Sequence, residues 1–231
     1  MTQPGMTDPD KNSPHDYASP ACMAGEIAPN YFAPRAEDPV RAKVAADWRR
    51  AERTRLLDER TAISSTTHIC LNKRITTHLD HVLATRFNGA HGMILAAFWP
   101  IHGEPDLRGW MAQQVAHGIH IALPVVASPD APLIFRPWTP DAEMRPGPWN
   151  IPEPATDLQV IPQIVLAPLV GWDKARFRIG YGGGFYDRTL VALRPRPYAI
   201  GIGHEAGHLE TIHPQPHDEA MDLIITECGA G

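Results

Sequence analysis

Residues 160–188 read VIPQIVLAPLVGWDKARFRIGYGGGFYDR. Val160–Val170 is apolar at nearly every position, as a strand buried on both faces of a parallel sheet must be; a half-exposed strand alternates instead. A polar turn at Asp173–Arg176 and a loop of four glycines follow, and Asp187–Leu193 can start a helix. Strand, loop and helix start together predict a βα junction. Working outward, Met93–Trp99, His120–Val126, Leu133–Trp138, Tyr198–Gly203 and Asp222–Thr226 are further short apolar runs bounded by Pro and Gly. Between two of them, Asp106–Gly118 spaces Leu107, Trp110, Met111 and Val115 as one helix face. Upstream, a helix is predicted from Pro39 with Asp38 as its cap. Val44, Trp48 and Leu56 fall on one stripe of it, and Arg49, Arg53 and Arg60 near another. A second helix is expected from about Ser65, with Ile69, Ile75, Leu79, Val82 and Leu83 inward and Cys70 near its apolar side. Helices alternating with strands make the class α/β.

The chain has 231 residues, 43% of them hydrophobic and 20% charged, enough for one sizeable core. Residues 1–38 are rich in Pro, Ala, Asp and Asn without an apolar period, and are expected to form a polar extension before an α/β domain at 39–231. A net charge of −5 argues against a nucleic acid or an anionic membrane as the main partner. No apolar stretch reaches the roughly 18 residues of a membrane span, and the polar N-terminus does not read as a secretory signal. Cys22, Cys70 and Cys228 are too scattered for a disulfide framework or a CxxC zinc site. The default expectation is a cytoplasmic protein.

The loop itself, Gly180-Tyr181-Gly182-Gly183-Gly184-Phe185-Tyr186-Asp187, removes side chains where a backbone must bend or approach a ligand. Successive N–H groups there can form an anion nest, reinforced by the helix start behind it. Arg178 is placed to neutralise a phosphate, and Asp187 to hold Mg²⁺ on it. The competing reading is a glycine turn with no ligand. The spacing is neither a Walker loop nor a dinucleotide fingerprint.

Ala167-Pro168, Gly171-Trp172-Asp173 and RIGYGGGFYDR at 178–188 resemble the signature of the 5-formyltetrahydrofolate cyclo-ligase family, with Phe185 in place of the first of two tyrosines. Further segments resemble that family in order. Arg49-Arg-Ala-Glu-Arg53, followed by Arg60–Ser64, corresponds to its opening basic segment. Phe98–Asp106 corresponds to its first loop, Trp149–Pro154 to the loop before the signature strand, and Ala199–Gly203 with Pro216–Thr226 to its closing part. The resemblance spans about Arg49 to Thr226.

The resemblance implies a single three-layer α/β/α domain with a mostly parallel sheet, NagB/RpiA/CoA-transferase-like, its site at the C-terminal strand ends. It implies an enzyme whose partners are the small molecules ATP and 5-formyltetrahydrofolate, with Mg²⁺, and a monomer. ATP would be bound by Arg49, Arg53, Arg178, Gly180, Tyr181, Gly182, Gly183, Gly184, Phe185 and Tyr186. Arg178 and Asp187 would be catalytic, and Asp187 and Asp218 would hold the metal. The folate would meet Ile101, Glu104, Asp106 and Trp149. Carboxylates suit the pterin's N–H donors and an indole can stack on a flat ring. Glu104 and Asp106 also read as plain helix-start acids, and Trp149 as plain packing. In the implied reaction ATP phosphorylates the formyl oxygen, N10 attacks the resulting iminophosphate and phosphate leaves. No protein nucleophile is needed; the protein's share is position and charge. On this reading Arg178→Ala and Asp187→Asn should each lose turnover and keep the fold.

This chain departs from the family pattern at Arg49 (usually Lys), Glu52 (usually Leu), His204 (usually Tyr) and Gly207 (usually Gln). Those changes keep open a related nucleotide-binding protein with another heterocyclic substrate or no folate activity. His204-Glu-Ala-Gly-His208 also satisfies the H-E-x-x-H zinc pattern, yet Gly207 lies inside the required helix and an apparent strand directly precedes it.

Overall fold

A computed structural model describes residues 39–231; the expectations for the N-terminal extension and Cys22 lie outside the described residues. The body discussed below is the compact unit Ala42–Gly231. In chain order the described residues form α1 (Pro39–Thr61), α2 (Ser65–Phe87), β1 (Ile94–Ala96), α3 (Arg108–Ala116), β2 (His120–Val125), β3 (Ile134–Trp138), β4 (Met144–Pro146) and β5 (Pro152–Pro154). There follow β6 (Ile164–Pro168), β7 (Gly171–Asp173), β8 (Arg178–Ile179), α4 (Phe185–Ala192), β9 (Tyr198–Ile202), β10 (His208–Leu209), β11 (Leu223–Thr226) and β12 (Gly229–Ala230). The first two helices break at 62–64, where the Ser64 side chain accepts from the Thr67 N–H and caps the second. That helix ends on Asn88 in the left-handed region.

The main sheet has seven strands in the order β12-β11-β9-β6-β1-β2-β3. The five central strands are parallel; β3 and β12 close the edges antiparallel. The sheet is therefore mostly parallel, as expected, but the run read as Val160–Val170 is shorter. Only Ile164–Pro168 pairs in the main sheet, and Val160 makes an isolated bridge to Phe135.

Side-chain alternation separates the two faces. Leu95, Ile121, Leu123, Ile164, Leu166, Ile200, Ile202 and Ile225 point to one side and pack with Ile75, Leu79, Val82 and Leu83 of α2 and Trp110 and Met111 of α3. Each such side chain stabilises the fold by about 1.5–3 kcal/mol. The opposite face is small at mid-sheet, with Ala96, Ala122, Val165, Ala167 and Ala199, and larger toward its edges, with Leu133 and Phe135 on one side and Met221 and Ile224 on the other; α4 packs there through Leu190. Helices on both faces make three layers. The inward sets differ from expectation at their ends: Val44 and Ile69 are exposed, and Cys70, read as core, is exposed too. Ala45 and Leu56 are the apolar residues buried on α1, while Ile75 through Leu83 suffice to dock α2.

β1 lies mid-sheet. The chain runs from it to β2 and β3 on one side, then returns to β6, β9 and β11 on the other. The connections leaving the adjacent strands β1 and β6 lead to helices on opposite faces, which opens a crevice between their C-terminal ends.

Candidate active site

One wall of that crevice is the loop after β1. His102 and Gly103 both have positive φ, which turns the chain so that the Glu104 N–H donates to the Ile101 carbonyl at 2.9 Å. The Glu104 carboxyl folds back and accepts from the Ile101 N–H at 2.9 Å. Glu104 is 5% exposed. Burial pushes its pKa up to about 7, against the smaller opposing pull of the Ile101 N–H, the Arg60 charge and the Tyr181 hydroxyl. It can therefore exchange a proton near neutrality. Asp106, its expected partner, instead binds its own neighbour, Arg108, with an ion-pair distance of 2.6 Å. That matches the helix-start reading.

The opposite wall is the glycine loop, held between β8 and α4. Gly182 has φ +96° and Gly184 φ +63°, conformations an L side chain strains to adopt. A Cβ on Gly183 would stand 2.7 Å from the Phe185 ring, whereas nothing lies within 4 Å of the place a Gly180 Cβ would occupy. The loop is exposed from Tyr181 to Gly183, and Gly184 leads directly into α4, so an anion can approach its N–H groups.

Helix α1 lies beside this loop because Leu56 packs with Val170, Ile179 and Ile212. Arg49, Arg53 and Arg60, four and then seven residues apart, fall within about 40° of one another around a helix. Arg53 Nε donates to the Gly180 carbonyl at 2.5 Å, and its guanidinium faces Gly182. Burial and the charges of Arg49 and Arg50 lower the Arg53 pKa, so the site holds a positive field that an anion would relieve. Arg49 is bound by both oxygens of Asp218, at 2.8 and 3.1 Å.

Arg60 is the residue the sequence reading left without a role. It is 6% exposed and donates to the carbonyls of His102 at 2.9 Å and Leu169 at 3.0 Å and to the Tyr181 hydroxyl at 2.5 Å. It thus ties the two walls together. Its place on the arginine stripe was the available signal.

The other expected site residues sit as follows. Arg178 is buried behind the loop, not open to it: it pairs with Asp187 at 3.0 Å, donates to the Glu219 carbonyl at 3.1 Å and lies over the Tyr186 ring. Asp187 Oδ1 accepts from the Glu219 N–H at 3.0 Å, which brings Asp187 to the residue next to Asp218. Burial raises the pKa of both Tyr181 and Tyr186, with the Glu104 charge second. Trp149 is 69% exposed at a turn with φ +55°, its ring edge-on to Phe185 at 6.0 Å. It is open to stack and not part of the core. Ile101 is half-buried in the β1 loop.

The H-E-x-x-H segment does not form the helix a zinc site requires. Glu205–Gly207 is a single 3₁₀ turn. His204 is buried near Glu227, while His208 stacks on Trp172 at 4.3 Å, exposed. Among the described residues no group of three or more His, Cys, Asp or Glu converges as a metal site. Nor, among them, is any helix long and apolar enough to cross a membrane.

These walls belong to an α/β fold with a crevice where the strand order reverses, cations on one side of it and a buried carboxyl on the other, the architecture of an α/β enzyme. Comparison with known proteins is specific. The chain belongs to the 5-formyltetrahydrofolate cyclo-ligase family, whose model matches residues 45–227. It is 30% identical over 139 residues to the 5-formyltetrahydrofolate cyclo-ligase of Escherichia coli strain K12, covering 57% of this chain and 76% of that one. To the enzyme of the same name from Mycolicibacterium smegmatis it is 28% identical over 147 residues, 58% of this chain and 74% of the other. The NMR structure of Aquifex aeolicus 5,10-methenyltetrahydrofolate synthetase superposes with TM-score 0.67 at 22% identity, over 79% of this chain and 91% of that one. A 5,10-methenyltetrahydrofolate synthetase from Mycoplasma pneumoniae superposes with TM-score 0.62 at 24% identity, over 78% and 98%. These two likenesses establish the fold.

Proposed function

We propose that this protein cyclises 5-formyltetrahydrofolate to 5,10-methenyltetrahydrofolate at the expense of ATP, with Mg²⁺, releasing ADP and phosphate. The observation that carries this reading is the pairing, across one crevice, of an exposed glycine cradle beside Arg49 and Arg53 with the buried carboxyl of Glu104.

The Gly182–Gly184 N–H groups and the start of α4 receive the triphosphate, and Arg53 faces its charge. Arg178 acts from behind, fixing Asp187 and the Tyr186 ring. For Mg²⁺ the donor set fits: Asp187 and Asp218 offer hard oxygens, and each carboxylate keeps lone pairs beyond the hydrogen bonds it accepts. Bound there, the ion would neutralise phosphate charge as the γ-phosphoryl moves. Glu104 orients the pterin: its carboxylate accepts from the ring's N–H donors, and binding draws it to the ionised form. Trp149 offers a face for a flat ring at the rim. Arg60 holds both walls at a fixed separation, which is the positional part of catalysis. The formyl oxygen, activated as an iminophosphate, is displaced as phosphate when N10 attacks.

The test is the appearance of the methenyl product in near-ultraviolet absorbance from purified protein, Mg-ATP and 5-formyltetrahydrofolate, with no-ATP and Asp187→Asn controls. ATP-dependent product lost in the variant is expected. A flat trace from protein that still binds ATP would refute the folate reading and favour the related enzyme of another heterocycle, which the departures at Arg49, His204 and Gly207 keep in view.

A further inference from the structure

His204 follows the C-terminal end of β9. Its side chain is 5% exposed, and neither ring nitrogen completes a hydrogen bond of ordinary geometry, although the Gly103 backbone lies close enough to raise its pKa by hydrogen bonding. Buried polar groups are nearly always fully paired, so two incompletely bonded nitrogens on one covered ring need a reason. Glu227 Oε2 stands 3.7 Å from Nδ1, a small rotation short of a hydrogen bond. His68 of α2 meets the imidazole edge-on at 5.5 Å between ring centroids. Arg60 of α1 and the Gly103 backbone also face it. The ring lines a cleft of about 410 Å³, open mouth included, walled by Leu56, Ile63, Leu169 and Val170 and by Arg60. Arg60 runs from this cleft to Tyr181 of the glycine loop, so cleft and cradle adjoin.

We propose that His204, oriented by Glu227, accepts the N10 proton of the folate as its ring closes. This rests on the cyclisation reading above. Burial lowers the imidazole pKa, opposed by the Glu227 charge and the Gly103 backbone, and reinforced by His68 and Arg60. The ring is then neutral at pH 7, with one N–H and one lone pair. With Nδ1–H turned to Glu227, the Nε2 lone pair is the acceptor; Nε2 is covered in this structure, and the same small rotation that completes the Glu227 bond must bring it to the substrate, as for a general base held by a carboxylate. In the closing step N10 bonds to the activated carbon, and the carbon–oxygen bond to phosphate breaks with its electrons leaving on phosphate. The N10–H electrons stay on nitrogen while the proton passes to Nε2, then to solvent. The alternatives are weaker: arginines cannot accept, Glu59 at the outer edge of the cleft is exposed and paired with Arg55, His208 is stacked outside on Trp172, and one Glu104 oxygen is already bound by the Ile101 N–H.

The experiment measures kcat, KM and the pH profile of cyclisation for the full chain and for His204→Ala, Glu227→Gln and Glu104→Gln. His204→Ala should lose about 10²–10⁴-fold in kcat. KM for ATP should stay within about twofold, since His204 does not meet the phosphates. Added imidazole should restore part of the loss in His204→Ala and none in Glu104→Gln. Glu227→Gln should move the acid limb of the kcat profile to lower pH, because it removes the charge that favours imidazolium. Unchanged kcat in His204→Ala, or a loss with neither imidazole rescue nor a changed acid limb, overturns the proposal. So does removal of that limb by Glu104→Gln alone. Should His204→Ala fail to fold, the Glu227→Gln limb decides by itself. Absence of product from the unsubstituted chain overturns the cyclisation reading, and this inference with it; product formed by His204→Ala and Glu227→Gln as fast as by the unsubstituted chain, with Glu104→Gln impaired, overturns this inference alone.

Discussion

Replacing Glu104 by Gln should make the protein more stable and less active, with a pH signature that isolates the cause. The folded protein holds this carboxyl at about 7 against an ordinary value of 4.5. Between those two pH values the folded state keeps a proton that the unfolded chain has released. Wild-type stability therefore falls as pH rises from 4.5 to 7 and then levels off. A pKa difference of about 2.5 at about 1.4 kcal/mol each sets the cost near 3 kcal/mol above pH 7. Glutamine keeps an acceptor for the Ile101 N–H but has no charge to bury. The variant should match wild type near pH 4.5 and exceed it by up to about 3 kcal/mol at pH 8, in urea unfolding midpoints taken at constant ionic strength. 5-Formyltetrahydrofolate binding to wild type should meanwhile weaken as pH falls below 7, and the variant's weaker binding should be flat with pH. A stability gain that is the same at pH 5 and pH 8 would refute the account, since amide packing and not ionisation would then be responsible.

Three other outcomes follow from the same geometry. Arg178→Ala should destabilise by about 3–5 kcal/mol in thermal or chemical unfolding, because it strands the part-buried Asp187 carboxylate; the sequence reading had Arg178 at an open phosphate site and expected the fold to be spared. Arg53→Met should weaken ATP binding at least about tenfold in calorimetry while leaving the ligand-free protein no less stable, since it removes a cation crowded by Arg49 and Arg50. Trp149→Ala should change stability by under about 0.5 kcal/mol and act on KM for the folate alone, as expected for an exposed ring without core contacts.

Much of the fold was legible because it rests on local pattern. The strands of the parallel sheet are continuous apolar runs, and α3 and the inner half of α2 carry their core residues at helical spacing. The misplacements have physical reasons. Pro162, which has no N–H to give to a ladder, falls in the part of 160–170 that β6 leaves out. Ile69 and Cys70 lie beyond the part of α2 that the sheet can cover, so their apolarity buries nothing. The glycine cradle was readable as a motif, and the arginine stripe as a periodicity. What was not readable is the set of pairings made by chain closure: Arg49 with Asp218, 169 residues away, and Arg60 with Leu169, 109 away. Those partners decide which cations face solvent and which are spent inside. Hence Arg178 is found paired with Asp187, Arg60 between the two walls, and Asp106 against Arg108 at the start of α3. The pKa of Glu104 was equally hidden, since burial and not sequence context raises it.

The thin face of the sheet has a consequence for how this molecule tolerates change. Gly201 lies on the same side as Ala167 and Ala199, and a single methyl there would come within 2.9 Å of Leu169 Cδ2. The Leu169 carbonyl is one of the three acceptors that hold Arg60. A substitution in the middle of the sheet, remote from any ligand, is thus two contacts from the brace that sets the width of the crevice. On the Leu- and Ile-rich face, trimming a side chain costs stability and little else. On the Ala- and Gly-rich middle of the other face, growth by one carbon costs about 1–3 kcal/mol of overpacking and presses on the brace as well. Variants arising there should be judged by substrate fit as well as by folding, since the same added carbon presses on the core and on the brace.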